Sequence, residues 1–331
     1  MSQFYLLMVV MGLLIVFSAN SFWLSWLGLE LSTLFFVPLL CKPRSWITNL
    51  SSWQYLIVQT SSSSWLVVTL LSVPQLGVLN ISLPDNSMLW GTFLTIPILF
   101  KLAIPPFQTW VLNLSDAVNW TSFFVLNGIQ KLGPLFLLIT LQFPNNLPFF
   151  TFILILTCLM CVLGVVDGSL RRFLTYSSLL NVSWCLYLIP LSMSTSLVYM
   201  LTYLFVLVGL VSFLRDLNLY TMMSFYGKLA SYNRSYQLST IAIMLSLFGL
   251  PPFVGFHLKL EALLHFVDLM FPLALVLLNA SILLLVAYLH MLQLSFLYVP
   301  NNKVCNKLSP VKVTILMSIS SLVSISNLLL L

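Results

Sequence analysis

"IPILFKLAIPPFQTW", residues 96–110, is the stretch on which the fold turns. It carries one charge, Lys101, and a proline pair, Pro105 and Pro106, in a run that is otherwise mostly apolar. A proline pair removes two backbone donors, so a helix kinks or opens there. In lipid, the freed carbonyls are tolerated only where they are buried in protein or line a wet cavity. "LSLFGLPPFVGFHLKL", residues 245–260, repeats the pattern with Pro251, Pro252 and Lys259. Lysines beside broken helices are expected of a membrane protein whose interior handles charge.

Composition agrees. Of 331 residues, 60% are apolar and only 6% are charged. A soluble domain carries about 25% charged residues, so a water-soluble fold is excluded. Continuous apolar runs, rather than alternating tens, argue against a β-barrel. The five cysteines, Cys41, Cys158, Cys161, Cys185 and Cys305, form no disulfide framework. Cys158 and Cys161 read as small apolar residues on one helix face. The three histidines are scattered and suggest no metal cluster. The opening "MSQFYLLMVVMGLLIVF" has no basic region and no cleavage site, so it reads as a first membrane helix.

The expected fold is all-α and polytopic, with eleven transmembrane helices. They fall at about 3–19, 21–40, 53–77, 87–104, 118–141, 148–166, 170–190, 194–214, 236–263, 269–296 and 311–330. The longest connection, residues 215–236, has room for a short surface helix. Ten of the thirteen basic residues follow even-numbered helices: Lys42, Arg44, Arg171, Arg172, Arg215, Lys228, Arg234, Lys303, Lys307 and Lys312. They therefore face one side, which the positive-inside rule makes the cytoplasmic or matrix side. The N-terminus lies on that side and the C-terminus on the other. The two proline pairs belong to helices four and nine, an offset of five, and an odd offset reverses the direction of insertion. Two inverted five-helix repeats are expected, at about 1–145 and 146–297, followed by a C-terminal helix at about 311–331.

Glu30, Lys101, Lys131 and Lys259 lie inside expected spans. Each costs roughly 2.5–3.5 kcal/mol at a helix centre on an insertion scale. Snorkelling to the interface suits Lys259, near a helix end, best and Lys131 least. Burial disfavours the charged form of a lysine, and a nearby carboxylate favours it. A Glu–Lys contact that forms and breaks is therefore a proton switch. Glu30 is expected to tune Lys101 in this way.

"WLSWLGLEL" (23–31), "FKLAIPPFQTWV" (100–111), "NGIQKLGPLFLL" (127–138), "LRRFLTYSSLLNVSW" (170–184) and "LSLFGLPPFVGFHLK" (245–259) follow one another in order. Together they resemble the signatures of the NADH–ubiquinone oxidoreductase chain 2 family, the mitochondrially encoded antiporter-like subunits of respiratory complex I. The resemblance implies two inverted repeats with broken helices and a proton-translocating role in the mitochondrial inner membrane. It implies that Glu30 pairs with Lys101, that Lys131 is the central lysine, and that Lys259 is the exit-side lysine. It implies no cofactor in this chain: flavin mononucleotide, iron–sulfur clusters and ubiquinone belong to partner subunits. The implied partners are other membrane-arm subunits, neighbouring antiporter-like subunits among them, and membrane lipids, with no nucleic acid.

The chain departs from that pattern at Asn181 and Gln108, where the family usually has His. It also departs at Leu112 and Asn113, usually Pro-Glu, and at His257 and Leu258, usually Leu-Pro. An amide relays a hydrogen bond but carries no proton, so the middle of the path is expected to depend more on water. A cation/proton antiporter subunit without redox coupling is the alternative. A structural assembly subunit or a solute carrier using "QTSSSSW", residues 59–65, fits less well.

Overall fold

The computed structural model describes residues 2–41, 45–72, 88–141, 147–166, 168–190, 192–231, 234–249, 254–264 and 271–297. Regular structure among the described residues is helical, apart from one isolated antiparallel bridge between Ser169 and Thr221. The chain forms two compact units, Met1–Thr157 and Cys158–Leu331.

The first unit begins with α1 (Ser2–Ser18) and α2 (Phe22–Leu40). The Ser21 hydroxyl caps α2 by accepting from the Leu24 N–H at 3.4 Å. The two helices pack backbone to backbone. A Cβ on Gly28 would lie 2.8 Å from the Gly12 carbonyl oxygen, so only glycine permits this approach. Next come α3 (Trp46–Ser72), α4 (Met88–Leu102) and α5 (Thr109–Ala117). The following span is α6 (Trp120–Phe124), a π turn (Val125–Ile129) and α7 (Gln130–Thr140). Helix α3 packs on α2, α4 and α5, while α7 packs on α1, α2 and α4. Helix α8 (Leu147–Val166) crosses from the first unit into the second.

Polarity is turned inside out. Leu7, Leu34, Trp53 and Ile57 are exposed, while Ser25, Ser32, Gln59 and Lys131 are buried. In water the reverse holds; in lipid this arrangement is the stable one. The serine run of α3 is satisfied by its own helix: Ser61, Ser62, Ser63 and Ser64 each donate to the carbonyl three residues back.

The second unit holds α9 (Leu170–Leu188), α10 (Met193–Asp216), α11 (Met222–Ser231), α12 (Arg234–Phe248), α13 (Val254–Leu264) and α14 (Phe271–Leu297). Helix α9 is its axis. It is buried continuously from Phe173 to Leu188 and packs on α10, α13 and α14. Gly249, at φ +74°, closes α12, and a Cβ there would meet the Gly255 carbonyl oxygen at 2.7 Å. Both needs select glycine.

Up to residue 297, every expected span contains a helix. Three boundaries differ. Helix three begins at Trp46 rather than 53, and residues 73–77 of the expected span lie outside the described residues. Helix four breaks after Leu102 and resumes as α5, which the sequence reading left as loop. Helix nine is two helices, α12 and α13, on either side of the second proline pair. Pro251 and Pro252 lie outside the described residues, as do Lys42, Arg44, Lys303, Lys307, Lys312 and the expected helix 311–330. The expected surface helix is α11, with Met223 prominently exposed.

By length and composition, four helical stretches among the described residues suffice to cross a membrane: Phe22–Leu40, Trp120–Thr140, Met193–Asp216 and Pro272–Gln293. Gln3–Ser18, Gly91–Leu102 and Thr151–Gly164 are shorter apolar helices.

Candidate functional site: buried lysines in each unit

The prolines after α4 leave Lys101 in its last turn. A cation is favoured there by the helix dipole. Beyond it the chain turns through Ala103, at φ 60°, and the Ile104 N–H donates to the Leu99 carbonyl at 3.2 Å. Lys131 follows the π turn, a distortion that recurs at functional sites. Gln130, just before it, is clamped to α2. Its Nε2 donates to the Ser32 carbonyl at 3.1 Å, and the Ser32 hydroxyl donates to its Oε1 at 3.4 Å.

Lys101 and Lys131 are 5% and 3% exposed, and both line one narrow internal cavity. Thr33 of α2, Tyr55 and Gln59 of α3, Trp110 of α5 and Gln130 supply its other polar groups. It has room for about one water molecule. Tyr55 is held edge-on against Phe36, with ring centroids 5.2 Å apart.

Glu30 is half-buried on α2. It acts electrostatically on both Lys101 and Tyr55. Glu30 Oε2 and Lys101 Nζ are each buried without a hydrogen-bond partner. The two are coupled through space and stand apart.

The second unit has its own constellation. Lys259 of α13 is 5% exposed, and its Nζ lies 5.9 Å from the ring centroid of Trp184, over the ring. Asn181 stands one turn earlier on α9. Its Oδ1 accepts from the Tyr199 hydroxyl at 3.0 Å, and its Nδ2 donates to the Ser177 carbonyl at 3.0 Å. The Tyr288 hydroxyl donates to Ser177 Oγ at 3.3 Å. Ser177, Asn181 and Trp184 are spaced i, i+4, i+7, so one face of α9 carries them all.

Glu30, Lys101 and Lys131 are thus gathered in the first unit, and Lys259 sits in the second. Sequence reasoning missed Tyr55, Gln130, Tyr199 and Tyr288. Tyr55 stands four residues before Gln59, a helical spacing that could have flagged it. The tyrosines of α10 and α14 had no local signal. His257 packs edge-on against Phe256 at 6.2 Å. Cys161 contacts the Tyr176 carbonyl at 3.9 Å, and both it and Cys158 are buried on α8. Among the described residues, no group of three or more His, Cys, Asp or Glu could hold a metal ion.

Residues 19–284 match the family described as NADH:quinone oxidoreductase/Mrp antiporter, TM. The chain is 30% identical to NADH-ubiquinone oxidoreductase chain 2 of Anopheles gambiae, over 77% of this chain and 74% of that one. It is 31% identical to the protein of the same name from Myxine glutinosa, over 79% and 75%. Among solved structures, a chain of respiratory complex I from Thermus thermophilus superposes with a TM-score of 0.80 at 17% identity, covering 98% of this chain and 77% of that one. A chain of the Mrp complex from a Dietzia species gives 0.78 at 17%, covering 90% and 61%, so this chain spans less than two thirds of it. At that identity the likeness is one of fold. The family match and the chain 2 relatives together place this chain in the NADH:quinone oxidoreductase/Mrp antiporter membrane family.

Proposed function

We propose that the chain is a proton-translocating membrane-arm subunit of respiratory complex I, NADH:ubiquinone oxidoreductase. The observation that carries this reading is the shared cavity. Two buried lysines open on it inside an apolar unit, and a carboxylate acts on one of them. A lysine without its counter-charge releases a proton; with it, the proton is held. Movement of Glu30 against Lys101 therefore loads or unloads the cavity, and Lys131 is the next acceptor. Lys259 serves the exit side. Moving a charge against 100 mV costs about 2.3 kcal/mol. That energy comes from NADH oxidation and quinone reduction in partner subunits, which hold the flavin, iron–sulfur clusters and ubiquinone. This chain holds no redox centre and is an enzyme only as part of that translocase.

In this reading the chain spans the mitochondrial inner membrane eleven times as two inverted five-helix repeats. Its N-terminus is on the matrix side and its C-terminus in the intermembrane space. Neighbouring membrane-arm subunits, antiporter-like ones included, and lipids cover its apolar faces.

The test is proton uptake per NADH oxidised by sealed inner-membrane vesicles. Lys131→Met is expected to assemble and to lose transport through this subunit by about 100-fold or more, a scale typical of a removed proton-transfer group, which lowers the overall ratio. An unchanged ratio overturns the reading. The likeness to the Mrp subunit favours a second one, a cation/proton antiporter subunit without redox coupling. Native electrophoresis with NADH-dehydrogenase staining separates the two: flavin and iron–sulfur subunits in the same band support the first, and a band without them supports the second.

A further inference from the structure

Lys101 has a carboxylate to act on it; Lys259 faces an aromatic ring. We propose that Trp184 is the positioning residue for Lys259 and that its ring face holds the ammonium form in place during transport. This rests on the reading of Lys259 as a proton-carrying residue.

Trp184 is completely buried at the centre of the second unit, and Lys259 is almost so. The ammonium nitrogen stands over the indole face, within the distance at which the ring quadrupole attracts a cation. Tryptophan is the strongest such partner, and desolvation strengthens the contact. The ring's orientation is set by packing. Its Nε1 makes no hydrogen bond, and Tyr187 meets it edge-on at 6.1 Å and 80°. The face, and not the polar edge, is what the indole offers Lys259. A cation–π contact is weaker than a buried ion pair and has no proton to exchange. It can favour the charged lysine without trapping it, which suits a residue that must give its proton up again. Asn181, one turn away on the same face of α9, is tied to Tyr199 and Ser177 and so fixes the helix that presents the ring.

A size-matched pair tests the idea. Phenylalanine and methionine have similar volumes, and only phenylalanine keeps a ring face. In vesicles of the assembled complex, Trp184→Phe is expected to retain most proton uptake per NADH, and Trp184→Met to lose at least about half of what Lys259→Met loses. Equal losses in the Phe and Met variants would mean that only volume matters and would overturn the proposal. Where Trp184→Met does not assemble, Trp184→Leu, which also lacks a ring face, takes its place. A loss for Trp184→Leu well beyond that of Trp184→Phe supports the proposal; equal losses in the two overturn it. Lys259→Met is also the control for the reading beneath. If it pumps as the native protein does, Lys259 carries no proton and the proposal falls with that reading. If Lys259→Met fails to pump while both Trp184 variants pump normally, the role of Trp184 alone falls.

Discussion

Glu30 decides most at the scale of single residues. It is the one acid in the first two helices, and its buried Oε2 accepts no hydrogen bond. A permanent ion pair with Lys101 would satisfy both groups and hold the proton in place. Standing apart, they remain free to respond to each other. Glu30→Gln keeps the shape and removes the charge, so assembly is expected to persist while protons moved per NADH decline. The measurement is vesicle proton uptake with NADH oxidation followed in parallel, and a normal ratio would sink the switch. Both ends of this pair were legible in sequence, because a charge in an apolar run stands out. That Lys101 and Lys131 share a cavity was not legible: it takes the packing of α4 on α7, and its wall is completed from α3 and α5 by Tyr55, Gln59 and Trp110, which look like ordinary helix residues.

Among the elements, the tightest constraints sit where backbones touch. Gly28→Val drives a side chain into the Gly12 carbonyl and splays α1 from α2, on which α7 and Lys131 also pack. The cost of such overpacking is about 1–3 kcal/mol. The expected result is less assembled complex on a native gel, with Gly12→Ala milder because it brings one carbon to the same contact where valine brings three. Gly249→Ala carries both a left-handed φ and a 2.7 Å clash, so the temperature at which NADH-driven pumping is lost should fall by several degrees. Hydropathy found the spans because lipid demands continuous apolar helices. It missed α5, "TWVLNLSDA", and the first turns of α3, "WITNLSS", since their polar residues read as loop. In α3 the serine and threonine hydroxyls bond back to their own helix, as Ser51 and Ser52 do at 2.8 and 2.7 Å, so polarity there is no bar to helix.

At the scale of the whole molecule the open matter is orientation. If the basic loops share one face, a cysteine placed at Ser45 and one at Ser224 should react with an impermeant thiol reagent from the matrix side. One at exposed Ser194 should react from the other side. The experiment uses a background with Cys41→Ser, because Cys41 is partly exposed, and Cys305→Ser, because Cys305 falls in the basic stretch expected on the matrix side. Labelling of Ser45 and Ser194 positions from the same side would remove the topology and the inverted repeats with it.

The cavity between Lys101 and Lys131 admits about one water molecule. That sets the length of any proton relay across it. On the proposed reading, a proton passing from one lysine to the other in this conformation has a single molecule to travel along, and that molecule must turn before it can carry a second.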